Sequence, residues 1–224
     1  MPRPPADQPL LTPERITSAA LRMIDQEGVE ALSTRKLAAA LGVSSKAVYH
    51  YYATKDELLH AVYLTVLDEL ELPGDTGGPW QEGLRRLAHS FRRLAWRHPS
   101  FITDFLQPHE PAARELDVTD ALYTLLRQAG LPEGIILQTG RILITFLIGS
   151  LRAELDGSFS GDALRRHRAV AARQPERYRT VLDLPEPAGG RDADFDLALD
   201  LILAGLEAVA TPGRSSEQRR DASG

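Results

Sequence analysis

The sequence predicts an all-α protein in two parts, an N-terminal three-helix domain built around a helix-turn-helix and a larger helical body behind it. Apolar residues recur at spacings of three and four along most of the 224 residues, and no run alternates with the period of two that a half-buried strand needs. Residues that start and stop helices also stand at the ends of the apolar stripes. With 43% hydrophobic residues the chain can bury a sizeable core, and its length suits two packed units.

Residues 1–11, MPRPPADQPLL, read as a flexible arm. Thr12 followed by Pro13 makes a capped start, and Ile16, Ala20, Met23 and Ile24 give the first helix an apolar stripe. From Ser33, the residues Leu37, Ala38 and Leu41 fall on one face of a second helix, which Gly42 closes because glycine reaches φ > 0 without a Cβ penalty. Ser44 is an N-cap for a short third helix whose inward positions are Val48 and Tyr52, and Val43 pins the corner. This helix-turn-helix domain spans 12–53. Thr54 to Glu57, TKDE, is a capping box, so a connecting helix is expected over 54–72, with Leu58, Val62, Val66 and Leu70 along one face up to Pro73.

The body is expected over 73–211. Leu84, Leu87, Phe91 and Leu94 share one face of a helix ending near His98-Pro99, and a short segment runs from Phe101 to Leu106. Val118, Leu122, Leu125 and Leu126 mark another helix, closed by Gly130; Pro132 opens a long one to about Asp156. A last helix runs from about Asp192 to Ala210, with Phe195, Leu199, Ile202, Leu206 and Val209 stepping by three and four. Between these two, Gly157 to Arg191 carries Arg165, Arg166, Arg168, Arg173, Arg177 and Arg179 with His167, and reads as a solvated connector with a short helix, placed as a flap near a pocket. Residues 212–224 read as a disordered tail. The long helix and the last one carry more apolar face than one subunit covers, which predicts a homodimer through about Glu133 to Asp156 and Asp192 to Ala210.

Charge is distributed unevenly. The chain is acidic overall, with formal net charge -5, yet Ser33 to Lys55 contains no acidic residue and holds every lysine, Lys36, Lys46 and Lys55, together with Arg35. A basic island on a capped helix-turn-helix points to a polyanion, because phosphate binding depends on where charge is placed. The third helix begins with small polar residues and leaves Ser45, Lys46, Ala47, Tyr49, His50 and Tyr51 outward. A helix entering a major groove about 12 Å wide N-terminus first needs that arrangement. Lys55 stands at the first turn of the next helix, where backbone N–H groups also attract phosphate. The partner expected is double-stranded DNA.

From about Thr12 to Leu67, the runs EGVEALSTRKLAAALGVS and KAVYHYYATKDELLHAV resemble the N-terminal domain of the TetR family of bacterial transcriptional repressors. The resemblance implies a repressor that binds a palindromic operator as a homodimer and leaves it when a small-molecule effector enters the C-terminal domain. It implies base contacts from Thr34, Arg35, Ser45, Lys46 and His50, and phosphate contacts from Ser44, Tyr49, Tyr51 and Lys55. Tyr52 reads as core beside Val48; Arg35 has the alternative of pairing with Glu30 or another helix, and His50 that of standing exposed and idle. In such proteins the long and last helices of two subunits form a four-helix bundle, and two-fold symmetry would place half-sites roughly 34–36 Å apart or a multiple of that.

The helical bodies of this family commonly hold an effector cavity. The candidate lining residues are Phe91, Trp96, Phe101, Phe105, Leu122, Leu126, Thr139, Ile142 and Phe146, with His109, Gln138 or Arg141 as polar anchors; plain packing is the alternative for each aromatic. The element FLIGSLRAEL resembles the tetracycline-responsive branch, in which a glutamate of this helix helps organise a drug-bound metal. That position is Ala153 here, with Glu154 one residue on and so turned by about 100°, which argues against a metal-chelated tetracycline.

Other classes find little support. There is no cysteine for disulfides or thiolate metal sites. GSFSG places Phe159 where a nucleophile elbow needs serine, the histidines lack H-E-x-x-H spacing, and GDTGGP lacks the phosphate-loop lysine. No catalytic residue, metal ligand or cofactor is assigned. The N-terminus lacks the apolar core of a secretory signal, and Ile142 to Leu151, the longest uncharged part of the most hydrophobic stretch, falls short of the ~20 residues a membrane span needs. The expectation is a cytoplasmic protein with no membrane partner.

Overall fold

A computed structural model describes residues 10–74, 78–100, 111–158, 160–186 and 189–211, and all its regular structure is helical, with no strand among the described residues. The chain divides into two compact units, one holding the residues up to Glu71 with Arg93–Leu116, the other Leu72–Arg92 with Asp117 onward. The first unit thus takes in the described residues 93–100 and 111–116.

The first unit contains α1 (Pro13–Glu27), a 3₁₀ turn (Val29–Ala31), α2 (Thr34–Leu41), α3 (Ser45–Tyr49) and α4 (Lys55–Asp68). Helix α1 packs on α2 and α4, and α2 on α3. Ile16, Ile24, Leu37, Val48, Val62 and Val66 are enclosed at the centre. A hydroxyl caps each start: Thr12 accepts from the Arg15 N–H, Ser33 from Lys36, Ser44 from Ala47 and Thr54 from Glu57. Glu57 completes the box one residue further back than expected, accepting from the Ala53 N–H at 2.8 Å. Helix α2 ends at Gly42, whose φ of 70° is left-handed.

Helix α4 stops at Asp68 rather than at residue 72. Arg114 donates to the carbonyls of Leu67 (3.3 Å) and Leu70 (2.6 Å), meeting the acceptors that a helix end exposes, and Leu70 remains buried beyond the last turn. The final turn of α5 (Trp80–Arg97) adds Arg93, paired with Glu71 at 2.7 Å, and Arg97, paired with Glu69 at 2.5 Å. His98 is buried beside Asp25 at 2.9 Å and Glu69 at 3.4 Å. At the start of α6 (Ala113–Gln128), Glu115 accepts from the Tyr63 hydroxyl at 3.1 Å. Burial, then the Glu115 charge, pushes the Tyr63 phenol well above its usual pKa.

The second unit holds α5 as far as Arg92, the rest of α6, α7 (Glu133–Asp156), α8 (Gly161–Ala171), α9 (Arg179–Asp183) and α10 (Gly190–Ala210). The connector therefore contains two helices where the sequence suggests one. Helices α5 and α10 run antiparallel, stitched by Gln81–Glu207 (2.6 Å), Arg85–Asp200, His89–Asp196 (3.0 Å) and Arg92–Asp192 (2.8 Å). Two glycines make room for side chains of α6: a Cβ at Gly83 would meet the end of Leu125, and one at Gly140 the ring of Tyr123. Helix α7 has a mean hydropathy of 1.6 over its most apolar window and is, by length and composition, long and apolar enough to cross a membrane. The helix runs unbroken through Gln138 and Arg141, and its longest uncharged part remains Ile142 to Leu151.

Candidate functional site

The outward face of the helix-turn-helix is where the basic residues lie. Arg35 and Lys46 are exposed and have no ion pair among the described residues, so the alternative pairing of Arg35 with Glu30 does not form. Lys36 is diverted to Glu27 at 3.4 Å. Lys55 is exposed and one of its three donors reaches the Val29 carbonyl at 3.3 Å, which ties the 3₁₀ turn to the start of α4. Thr34 and Ser45, at the first positions of α2 and α3, are half-buried, and Ser44 is exposed as the α3 cap.

Helix α3 is short because its stop lies in the residues that follow. After Tyr49 the N–H groups of Tyr51 and Tyr52 both return to the Val48 carbonyl, tightening the last turn. That places Tyr49 outward at 52% exposure and His50 outward with its ring edge-on to Tyr51. Tyr51 is 40% exposed, but its hydroxyl donates to the Leu11 carbonyl at 2.7 Å, so its donor is used within the chain to fasten the residue before the α1 cap. Tyr52 turns inward, and burial followed by the Glu14 charge raises its phenol pKa.

A cavity of about 100 Å³ lies in the second unit, walled by Leu84, Leu87, Ala88 and Phe91 of α5, Val118, Thr119 and Leu122 of α6, Leu143, Ile144, Phe146, Leu147 and Ile148 of α7, and Leu199, Ile202 and Leu203 of α10. Of the residues read from the sequence as lining, Phe91, Leu122 and Phe146 are there. Leu126 is fully buried in the core instead. Gln138, Arg141 and Ile142 lie on other sides of α7, with Ile142 66% exposed, because 100° per residue carries them away from Leu143. Thr139, half-buried, shares the stripe of Leu143 and Phe146 but stands a turn before the cavity wall. Trp96 stands in the first unit, 43% exposed, and Phe101, Phe105 and His109 fall outside the described residues. The lining set expected from the sequence lacks Leu84 and Leu87 of α5, Leu143 and Leu147 of α7, and all of the α10 wall. The α5 stripe of Leu84, Leu87 and Phe91 was the signal that could have found the α5 part.

Glu154 is held away from this cavity. Arg92 Nε lies 3.2 and 3.0 Å from its two carboxylate oxygens and Nη2 2.5 Å from one, with side chains only 13% and 10% exposed. These bonds, above all, raise the Arg92 pKa. On the outer sides of α7 and α10, large apolar side chains stay uncovered: Leu137 and Ile142 on the one, Leu197, Leu201 and Val209 on the other. The α10 residues step by four along one row that also contains Gly205, beside which nothing lies within 4 Å of a Cβ position.

A capped helix-turn-helix with cations turned outward, joined to a helical domain with an apolar cavity, defines a DNA-binding transcriptional regulator with a ligand-binding C-terminal domain. The chain belongs to the TetR family of bacterial regulators. Residues 72–210 match the family described as "Tetracyclin repressor-like, C-terminal domain", and residues 16–62 match "Bacterial regulatory proteins, tetR family". An HTH-type transcriptional regulator of Saccharopolyspora erythraea is 30% identical, covering 91% of this chain and 87% of its own. The tetracycline repressor protein class C of Escherichia coli is 31% identical over 87% of this chain and 90% of its own. Among solved structures, the TetR family protein ActR of Streptomyces coelicolor in complex with actinorhodin is similar with a TM-score of 0.77 at 28% identity, covering 90% of this chain and 99% of that one.

Proposed function

We propose that this chain is a cytoplasmic repressor that occupies a near-palindromic operator as a homodimer and leaves it when a small molecule fills the cavity of the second unit. The observation that carries the DNA reading is the cationic outward face of the helix-turn-helix, Arg35, Lys46 and Lys55, in a chain of net charge -5. In this reading Thr34, Arg35, Ser45, Lys46 and His50 meet base edges, while Ser44, Tyr49, Tyr51 and Lys55 grip phosphates. Tyr51 would approach phosphate through an oxygen already bonded to Leu11, and so also fastens the residue before the α1 cap.

The homodimer is supported by the uncovered rows on α7 and α10. A second copy would hide Leu137, Ile142, Leu197 and Leu201, which also accounts for a long apolar helix in a DNA-binding protein without invoking a membrane. The effector reading is supported by the cavity itself and by ActR, a structural relative solved in complex with actinorhodin. Release requires the ligand to favour the DNA-incompetent state, typically by ~1–3 kcal/mol of coupling.

Fluorescence anisotropy of duplex DNA between 50 and 200 mM salt tests the first claim. Each phosphate contact contributes roughly 0.9 to the log–log slope, so the constant should fall steeply with salt. A salt-independent constant rules the reading out. Size exclusion with light scattering tests the second, where a monomer at micromolar concentration contradicts it.

A further inference from the structure

We propose that the cavity takes an uncharged, predominantly apolar ligand bound without a metal ion; this specifies the chemistry of the effector site and rests on the effector reading above. Among the described lining residues Thr119 carries the one polar side chain, and the others are aliphatic or phenylalanine. An ion entering such a lining gives up its hydration and gains no counter-charge. Three charged pairs join α5 to α10, Arg85 with Asp200, His89 with Asp196 and Arg92 with Asp192, and none of these residues lines the cavity. Glu154, the α7 carboxylate nearest in sequence to the metal-organising position of the tetracycline-responsive branch, is nine-tenths buried and engaged by Arg92 through both of its oxygens. No group of three or more metal-binding side chains forms among the described residues.

Size adds a mechanism. The space of about 100 Å³ is smaller than the ~150 Å³ of an engineered apolar cavity that admits benzene. A ligand larger than one ring therefore gains contact from a conformation in which the walls formed by α5, α7 and α10 part, and binding that conformation better is what a switch requires. Helix α5 supplies four wall residues, and its last turn belongs to the first unit through Arg93 and Arg97.

The probe is N-phenyl-1-naphthylamine, a neutral fluorophore that brightens in apolar surroundings, titrated into the full-length protein with and without EDTA. Tetracycline is titrated in parallel with and without magnesium. We expect saturable N-phenyl-1-naphthylamine binding at one site per chain, indifferent to EDTA. Ala88→Leu and Leu122→Phe, which both fill the cavity, should weaken it by roughly tenfold or more. Val170→Ser, at an open surface hollow on α8, should leave it unchanged. Two cavity variants are used so that one reports if the other misfolds. Probe binding indifferent to both variants at unchanged helical circular dichroism overturns the proposal, as does magnesium-dependent tetracycline binding. Operator binding is measured on the same preparation: its loss with probe binding intact contradicts the regulator reading alone, and the converse contradicts the ligand class alone.

Discussion

Arg92→Met separates the buried ion pair from the packing around it, because methionine keeps much of the side chain's apolar length and removes its charge. The guanidinium makes three contacts to Glu154 at 3.2, 3.0 and 2.5 Å, with the two side chains 13% and 10% exposed. Asp192, 88% exposed, adds little to that pair. Placing Arg92 4.8 Å above the Phe195 ring contributes about 0.5–1 kcal/mol more. Removing Arg92 takes from Glu154 a bidentate counter-ion in a poorly solvated place, and breaking such a buried pair costs about 3–5 kcal/mol. At roughly 2–4 °C per kcal/mol for a chain of this length, Tm should fall by about 10 °C. Urea and thermal unfolding followed by circular dichroism read the loss. The double variant Arg92→Met with Glu154→Leu should recover most of it, since apolar replacements of buried pairs are often neutral or better. A loss below about 1 kcal/mol, as for an exposed pair, or a double variant less stable than the single, would refute the reasoning.

Lys55→Ala should weaken binding to every DNA sequence and lower the salt slope by about one contact, whereas Lys46→Ala should change which base is preferred; anisotropy across salt and across sequence variants distinguishes them. Gly42→Ala should cost about 1–2 kcal/mol in urea unfolding, because φ is 70° and no atom lies within 4 Å of the new Cβ, so the cost is backbone strain alone. Tyr63→Phe should lose about 1 kcal/mol at neutral pH with the bond to Glu115. Its pH dependence has a definite sign: the folded phenol pKa is raised, so the contribution is present below the ordinary value of about 10 and is lost as pH climbs above it. The variant should therefore decline less steeply above pH 10, and parallel alkaline limbs would contradict the assignment.

The helices and the basic face were legible because they depend on neighbours in sequence. Ser33, Ser44, Thr54 and Gly42 declare their elements within four residues, and the island of Lys46 and Lys55 needs only the absence of acids nearby. What the sequence hid depends on partners distant in the chain. Arg114 meeting the end of α4, His98 lying between Asp25 and Glu69, and Arg92 taking up Glu154 each join residues 29 to 73 positions apart. The cavity was legible only in part for the same reason: Phe91, Leu122 and Phe146 share it, but whether Ile142 or Leu143 faces inward is decided by the rotation of α7 against helices it meets only in the fold. Tyr51 shows the limit at a single residue, where an exposed tyrosine just after α3 spends its donor on Leu11.

Selection of bound duplexes from a random pool by the full-length protein, followed by sequencing, tests the DNA-binding account most directly. It predicts enrichment of one near-palindrome whose half-sites are centred roughly 34–36 Å apart or a multiple of that, as two symmetry-related α3 helices require. Recovery of no enriched sequence, or of a single asymmetric site, would contradict it.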